Sequence, residues 1–64
     1  MNINETFITE LYSALASVES DEKGKPTKEV REIAKDAFGH NKKVLKALKI
    51  IEQRLKSGDF YPAS

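Results

Sequence analysis

Apolar residues recur at helical spacing in three segments of the chain, and short polar segments separate them. Because positions three and four residues apart share one face of an α-helix, this pattern predicts amphipathic helices at about 4–18, 27–38 and 41–57. We therefore expect residues 1–64 to form one all-α domain, a small three-helix bundle with short turns and a tail at 58–64. The apolar stripes expected to build its core are Phe7, Ile8, Leu11, Leu15 and Val18; Val30, Ile33, Ala34, Ala37 and Phe38; and Val44, Ala47, Leu48, Ile51 and Leu55.

The residues that flank these segments have the chemistry of helix caps. Asn4, Thr27 and Asn41 precede the three segments, where an N-cap side chain accepts hydrogen bonds from free backbone N–H groups. Gly39 and Gly58 follow the second and third segments, where a left-handed C-cap residue is expected. Local chemistry therefore predicts where each helix begins and where two of them end.

The third segment has a second apolar patch besides its core stripe. At about 100° per residue, Ile50 falls among lysine and arginine positions, and Leu45 lies at the margin of the stripe. An apolar residue stranded on a basic face is expected to be covered by something, so we predict a partner-binding surface here. Its predicted residues are Leu45, Ile50, Arg54, Phe60 and Tyr61.

Composition argues against catalysis. The chain has no cysteine, one histidine and three scattered glycines, so no thiolate metal site, nucleophile–histidine pair or phosphate-binding loop can be drawn. We expect no enzymatic activity, no metal, no cofactor and no small-molecule substrate. No apolar run is long enough to span a bilayer and the first residues are unlike a signal peptide, so we expect a cytoplasmic protein without membrane contact.

The leading hypothesis is a small non-enzymatic interaction protein that regulates or inhibits a larger protein partner through a helix face. Natural domains below about 70–80 residues commonly gain stability from disulfides, a metal or a partner subunit. This chain has 64 residues and no cysteine, so it could gain stability by self-association, and a homodimer is therefore an alternative prediction.

The net charge of +1 conceals a gradient along the chain. Residues 1–22 hold five acids and no base, whereas residues 42–64 hold six bases and two acids.

Residues 33–49 resemble the helix-turn-helix of bacterial repressors and recombinases, with Ala34 as the small residue between the helices and Val44 as the β-branched residue that packs back. The resemblance implies a DNA-binding transcriptional regulator as the second hypothesis. The nucleic-acid-binding residues would then be His40, Asn41, Lys42, Lys43, Lys46 and Lys49. An antiparallel helical hairpin with solvated lysines is the alternative interpretation.

Overall fold

The protein folds as three helices, α1 (Glu5–Val18), α2 (Lys28–Ala37) and α3 (Lys42–Ser57), in a computed structural model that describes residues 3–58. The predicted all-α bundle is confirmed, and the predicted helix bounds differ from the observed ones by at most one residue. All three helices contribute to one core. Its buried members are Ile8, Leu15, Val30, Ala34, Val44, Ala47, Leu48 and Ile51.

The predicted N-caps are confirmed. The side chains of Asn4, Thr27 and Asn41 each accept a hydrogen bond from the backbone N–H three residues further on, at 2.8, 3.3 and 3.1 Å. Gly58 ends α3 in the left-handed conformation, at φ 79°. Each helix thus begins where a side chain satisfies an N–H group that has no partner inside the helix.

The prediction that Gly39 is a left-handed cap is wrong. Within residues 3–58, positive φ angles occur only at Gly24 and Gly58. The chain leaves α2 through Phe38, at φ −109° and ψ 28°, whose carbonyl accepts a hydrogen bond from the Asn41 N–H at 2.9 Å. This bond closes a four-residue turn that needs no left-handed residue, so α3 can begin at once.

The connection between α1 and α2 is held by local hydrogen bonds. The Asp21 carboxylate accepts from the backbone N–H groups of Lys23 and Lys25, at 2.8 and 3.0 Å. These bonds, that of Lys25 first, hold the pKa of Asp21 below its ordinary value. Pro26 is buried at the end of the loop. The Thr27 N–H donates to the Glu19 carbonyl at 3.3 Å, and this bond fixes the start of α2 against the end of α1.

All three helices contact one another, and ion pairs join α3 to each of the other two on different flanks. On one flank, Arg54 donates to both carboxylate oxygens of Glu5 of α1, at 2.7 and 2.6 Å. On the other flank, Glu52 accepts the Lys35 ammonium of α2 at 2.7 Å and faces the Arg31 guanidinium at 3.8 Å. These ion pairs tie both neighbours to α3, and only the outer side of α3 is left to solvent.

Candidate functional site

Ile50 is not stranded on an exposed basic face, contrary to the prediction. It is partly buried and packs against the core, as does Leu45. For Ile50 the reason is that α1 lies over its flank of α3, where the Lys43 ammonium sits 4.5 Å from the centre of the Phe7 ring and Arg54 binds Glu5. Leu45 lies about 140° away around the axis of α3, on another flank.

Of the other residues predicted to bind a partner, Arg54 makes a contact within the domain, and Phe60 and Tyr61 lie outside the described residues. Arg54 is joined to Glu5, and its guanidinium holds the pKa of that carboxyl below the ordinary value, chiefly by hydrogen bonding. A partner contact by this set stays a prediction.

The residues predicted to bind nucleic acid are all exposed, but two of them also make contacts within the domain. His40, Lys42, Lys46 and Lys49 are exposed. Asn41 uses its side chain as the α3 cap, accepting from the Val44 N–H. Lys43, exposed as well, lies on the flank that contacts Phe7.

A straight row of lysines runs along the outer side of α3. Lys42, Lys46, Lys49 and Lys56, which we call the lysine row, are all exposed. At 3.6 residues per turn they fall within a sector about 80° wide, and they extend over about 21 Å of the helix. Lys56 was not among the predicted binding residues, although its helical phase places it in the row.

The lysine row has one acidic neighbour on α3, Glu52, which lies three residues after Lys49 and four before Lys56. Among residues 3–58, none of its four members forms an ion pair. The one carboxylate of α3, Glu52, lies on the flank toward α2 and is engaged there. Lys42 and Lys46 are like charges at i,i+4, and Lys42 is a cation in the first turn of α3, which contains no acid, so both arrangements oppose helix stability. At the other end of the row Lys56 lies in the last turn, where a cation is favourable.

A second surface lies at the end of α2, where the predicted core stripe is uncovered. Ile33 is 65% exposed and Phe38 45%, and Ala37 is exposed as well. The predicted place of all three in the core is wrong because α1 and α3 bury α2 only at Val30 and Ala34. Ile33 and Ala37, one turn apart, share one side of α2, and we call this pair the α2 apolar edge. Phe38 lies about 140° from Ile33 around the helix axis, on the other side of the buried Val30 and Ala34.

Val18 at the end of α1 is also exposed, at 75%, contrary to its predicted place in the α1 stripe. It is the last residue of the helix, and the chain turns away at Glu19 in an extended conformation. Periodicity identifies the apolar face of a helix, but it does not show how far along that face the neighbouring helices reach.

Carboxylates border the α2 apolar edge on its outer side. Glu29 and Asp36 lie four residues before and three residues after Ile33, so both are its neighbours on the helix surface. Both are exposed, and neither forms an ion pair within the described part of the chain. The edge therefore combines apolar side chains with a negative rim.

The described residues offer no sign of a metal or membrane site. Residues 3–58 contain no group of three or more histidine, cysteine or acidic side chains able to hold a metal ion. None of the helices in this range is long and apolar enough to cross a bilayer. Comparisons with known protein families, curated proteins and solved structures find no match to the chain. The candidate surfaces are thus defined by geometry and charge.

Proposed function

We propose that this chain is a small non-enzymatic interaction protein that binds a larger protein through the α2 apolar edge and regulates it by occupying that partner's surface. The observation that supports the proposal is the exposure of Ile33, at 65%, beside the exposed Ala37. The isoleucines Ile8 and Ile51, by contrast, are almost fully buried, at 1% and 0%.

The energetic argument concerns the water removed from this edge on binding. Burying an isoleucine or phenylalanine side chain is worth about 1.5–3 kcal/mol when it begins fully exposed. Ile33 is 65% exposed, so it can still contribute about 1–2 kcal/mol to association. A partner that covers Ile33 and Ala37 gains a small apolar anchor of the kind found at the centre of protein interfaces.

Affinity capture tests the proposal with the full chain as bait in a lysate of its source organism. Ile33→Asp places a charge on the exposed edge without entering the core, so the fold should persist and the partner should be lost. Val18→Asp is the matched control, because Val18 is exposed to a similar degree but lies on α1. Circular dichroism melts would verify both folds. Recovery of the same partners by Ile33→Asp would contradict the proposal.

A second candidate function, DNA binding through α3, is supported by the lysine row. The four exposed lysines form no ion pair among residues 3–58, and Glu52, their acidic neighbour on α3, is engaged by Lys35 of α2. They match a phosphate backbone, whose contacts release counterions and make affinity depend steeply on salt. If all four lysines meet phosphates of a duplex, the logarithm of affinity should fall against the logarithm of salt with a slope of about −4.

An electrophoretic shift assay with duplex DNA at low salt tests this second candidate. Lys42→Ala with Lys46→Ala should weaken binding and reduce the salt slope by about two. The control pair Lys23→Ala with Lys28→Ala removes the same charge from exposed positions outside the row. No shift with the unaltered chain, or equal loss with the control pair, would argue against α3 as a nucleic-acid surface.

A further inference from the structure

We infer that the partner segment that docks on the α2 apolar edge is a cationic amphipathic helix, with apolar anchors bordered by lysine or arginine. The inference rests on the proposed function and specifies the chemistry of the partner. It follows from the shape of the edge, from the charge around it and from the poor fit of a second copy of this chain.

The shape of the edge suits a helix. The small Ala37 side chain follows the larger Ile33 by one turn on the same side of α2, and both are exposed. A small residue beside a larger one leaves a recess into which the side-chain ridges of a neighbouring helix pack, at interaxial distances of about 8–10 Å. A partner helix can therefore approach most closely at Ala37 and bury Ile33 beside it.

The negative charge of the carboxylates that border the α2 apolar edge favours a basic partner. Glu29 and Asp36 are seven residues apart, which is about 10 Å along one side of α2. Both carboxylates are exposed and unpaired within residues 3–58, so they are available to side chains of a partner. Opposite charges at an interface rim raise the association rate and discriminate against partners of the wrong sign. Lysine or arginine beside the apolar anchors would meet both carboxylates.

A second copy of this chain fits the edge poorly. A two-fold contact of α2 with itself would place the Glu29 and Asp36 carboxylates of one copy against those of the other, because each patch then faces its own equivalent. Contact with the lysine row of another copy would match the charge, but Lys42, Lys46 and Lys49 offer no apolar anchor to bury Ile33. A foreign helix with both features fits better.

Two synthetic peptides provide the test. Both would be amphipathic helices of about 18 residues with the same leucine face, long enough to be partly helical in water. One has lysine along the borders of the leucine face, and the other has glutamate. Each is titrated into the full-length, ¹⁵N-labelled chain, and fluorescence anisotropy of the labelled peptide gives the affinity.

We expect the lysine-bordered peptide to shift amides at residues 29–38 and to bind about tenfold more tightly than the glutamate-bordered peptide at low salt, with the difference shrinking as salt rises. Glu29→Gln with Asp36→Asn should reduce this preference to near unity. The control pair Glu10→Gln with Glu22→Gln removes the same charge from exposed positions elsewhere and should leave it unchanged.

The outcomes separate failure of the inference from failure of the proposed function. Equal affinity for both peptides, abolished by Ile33→Asp, would overturn the cationic partner but leave docking on α2 in place. Binding of neither peptide, or binding unaffected by Ile33→Asp, would overturn both.

Two further measurements test the other occupants of the edge. Concentration-dependent sedimentation that Ile33→Asp abolishes would make the occupant a second copy. Tighter peptide binding after Phe60→Ser with Tyr61→Ser would make it the chain's own tail. Either result would overturn the inference, and unchanged monomer mass with unchanged peptide affinity would support it.

Discussion

Reversing the charge of Lys42 should stabilise the domain while weakening any binding by the lysine row. Lys42 is the first residue of α3, is exposed, and lies in a first turn that contains no acidic residue. The positive end of the helix dipole disfavours a cation there, and Lys46, four residues on, adds like-charge repulsion. Lys42→Glu converts both unfavourable contacts into favourable ones.

The magnitude follows from these two contacts. A charge in the first turn interacts with the helix dipole by about 0.3–1 kcal/mol, and an i,i+4 pair contributes about 0.2–0.5 kcal/mol. Reversing both signs doubles each effect, so Lys42→Glu should raise the free energy of unfolding by about 1–3 kcal/mol at low salt. For a domain of this size, each kcal/mol raises Tm by about 4–8 °C.

Thermal melts followed by circular dichroism, in about 10 mM and about 1 M salt, would measure the effect, which high salt should largely remove. Lys56→Glu is the matched control, because it makes the same charge change in the last turn of α3, where a cation is favourable. It should lower Tm. Shifts of the same sign in both variants would refute the reasoning, since they would reflect net charge and not position along the helix.

Three further predictions test the fold that positions these surfaces. Gly58→Ala should destabilise the domain by about 1 kcal/mol because φ is 79° there. Gly39→Ala should be neutral or slightly stabilising, since its φ is not positive and an added Cβ meets its nearest atoms at 3.6 Å. Equal losses of stability in urea unfolding would indicate that Gly39 is a left-handed cap after all. Because Arg54 lowers the folded-state pKa of Glu5, their pair stabilises the fold at neutral pH and loses this effect as the pH falls below about 4. Arg54→Gln should therefore lower Tm more at pH 7 than at pH 3, and a uniform loss would contradict this linkage. Ile50→Asp should destabilise by about 2 kcal/mol by placing a carboxylate against the core, and an unchanged Tm would show that Ile50 is free.

The sequence by itself determined the features that depend on neighbours within one helical turn. Asn4, Thr27 and Asn41 act as N-caps because each side chain reaches a backbone N–H only three residues away. The three helices follow from apolar spacing in the same way. The lysine row was also readable, because residues on one helix hold a fixed angular relation whatever surrounds them.

Tertiary structure alone decided which apolar residues are covered, and two isoleucines show why. The sequence places Ile33 on the core stripe of α2 and Ile50 away from that of α3, yet Ile33 is 65% exposed and Ile50 packs against the core. Burial depends on where neighbouring helices lie. The first helix covers the flank of α3 that holds Ile50, whereas α1 and α3 bury α2 only at Val30 and Ala34. The surface proposed for binding could therefore be located only once the helices were packed.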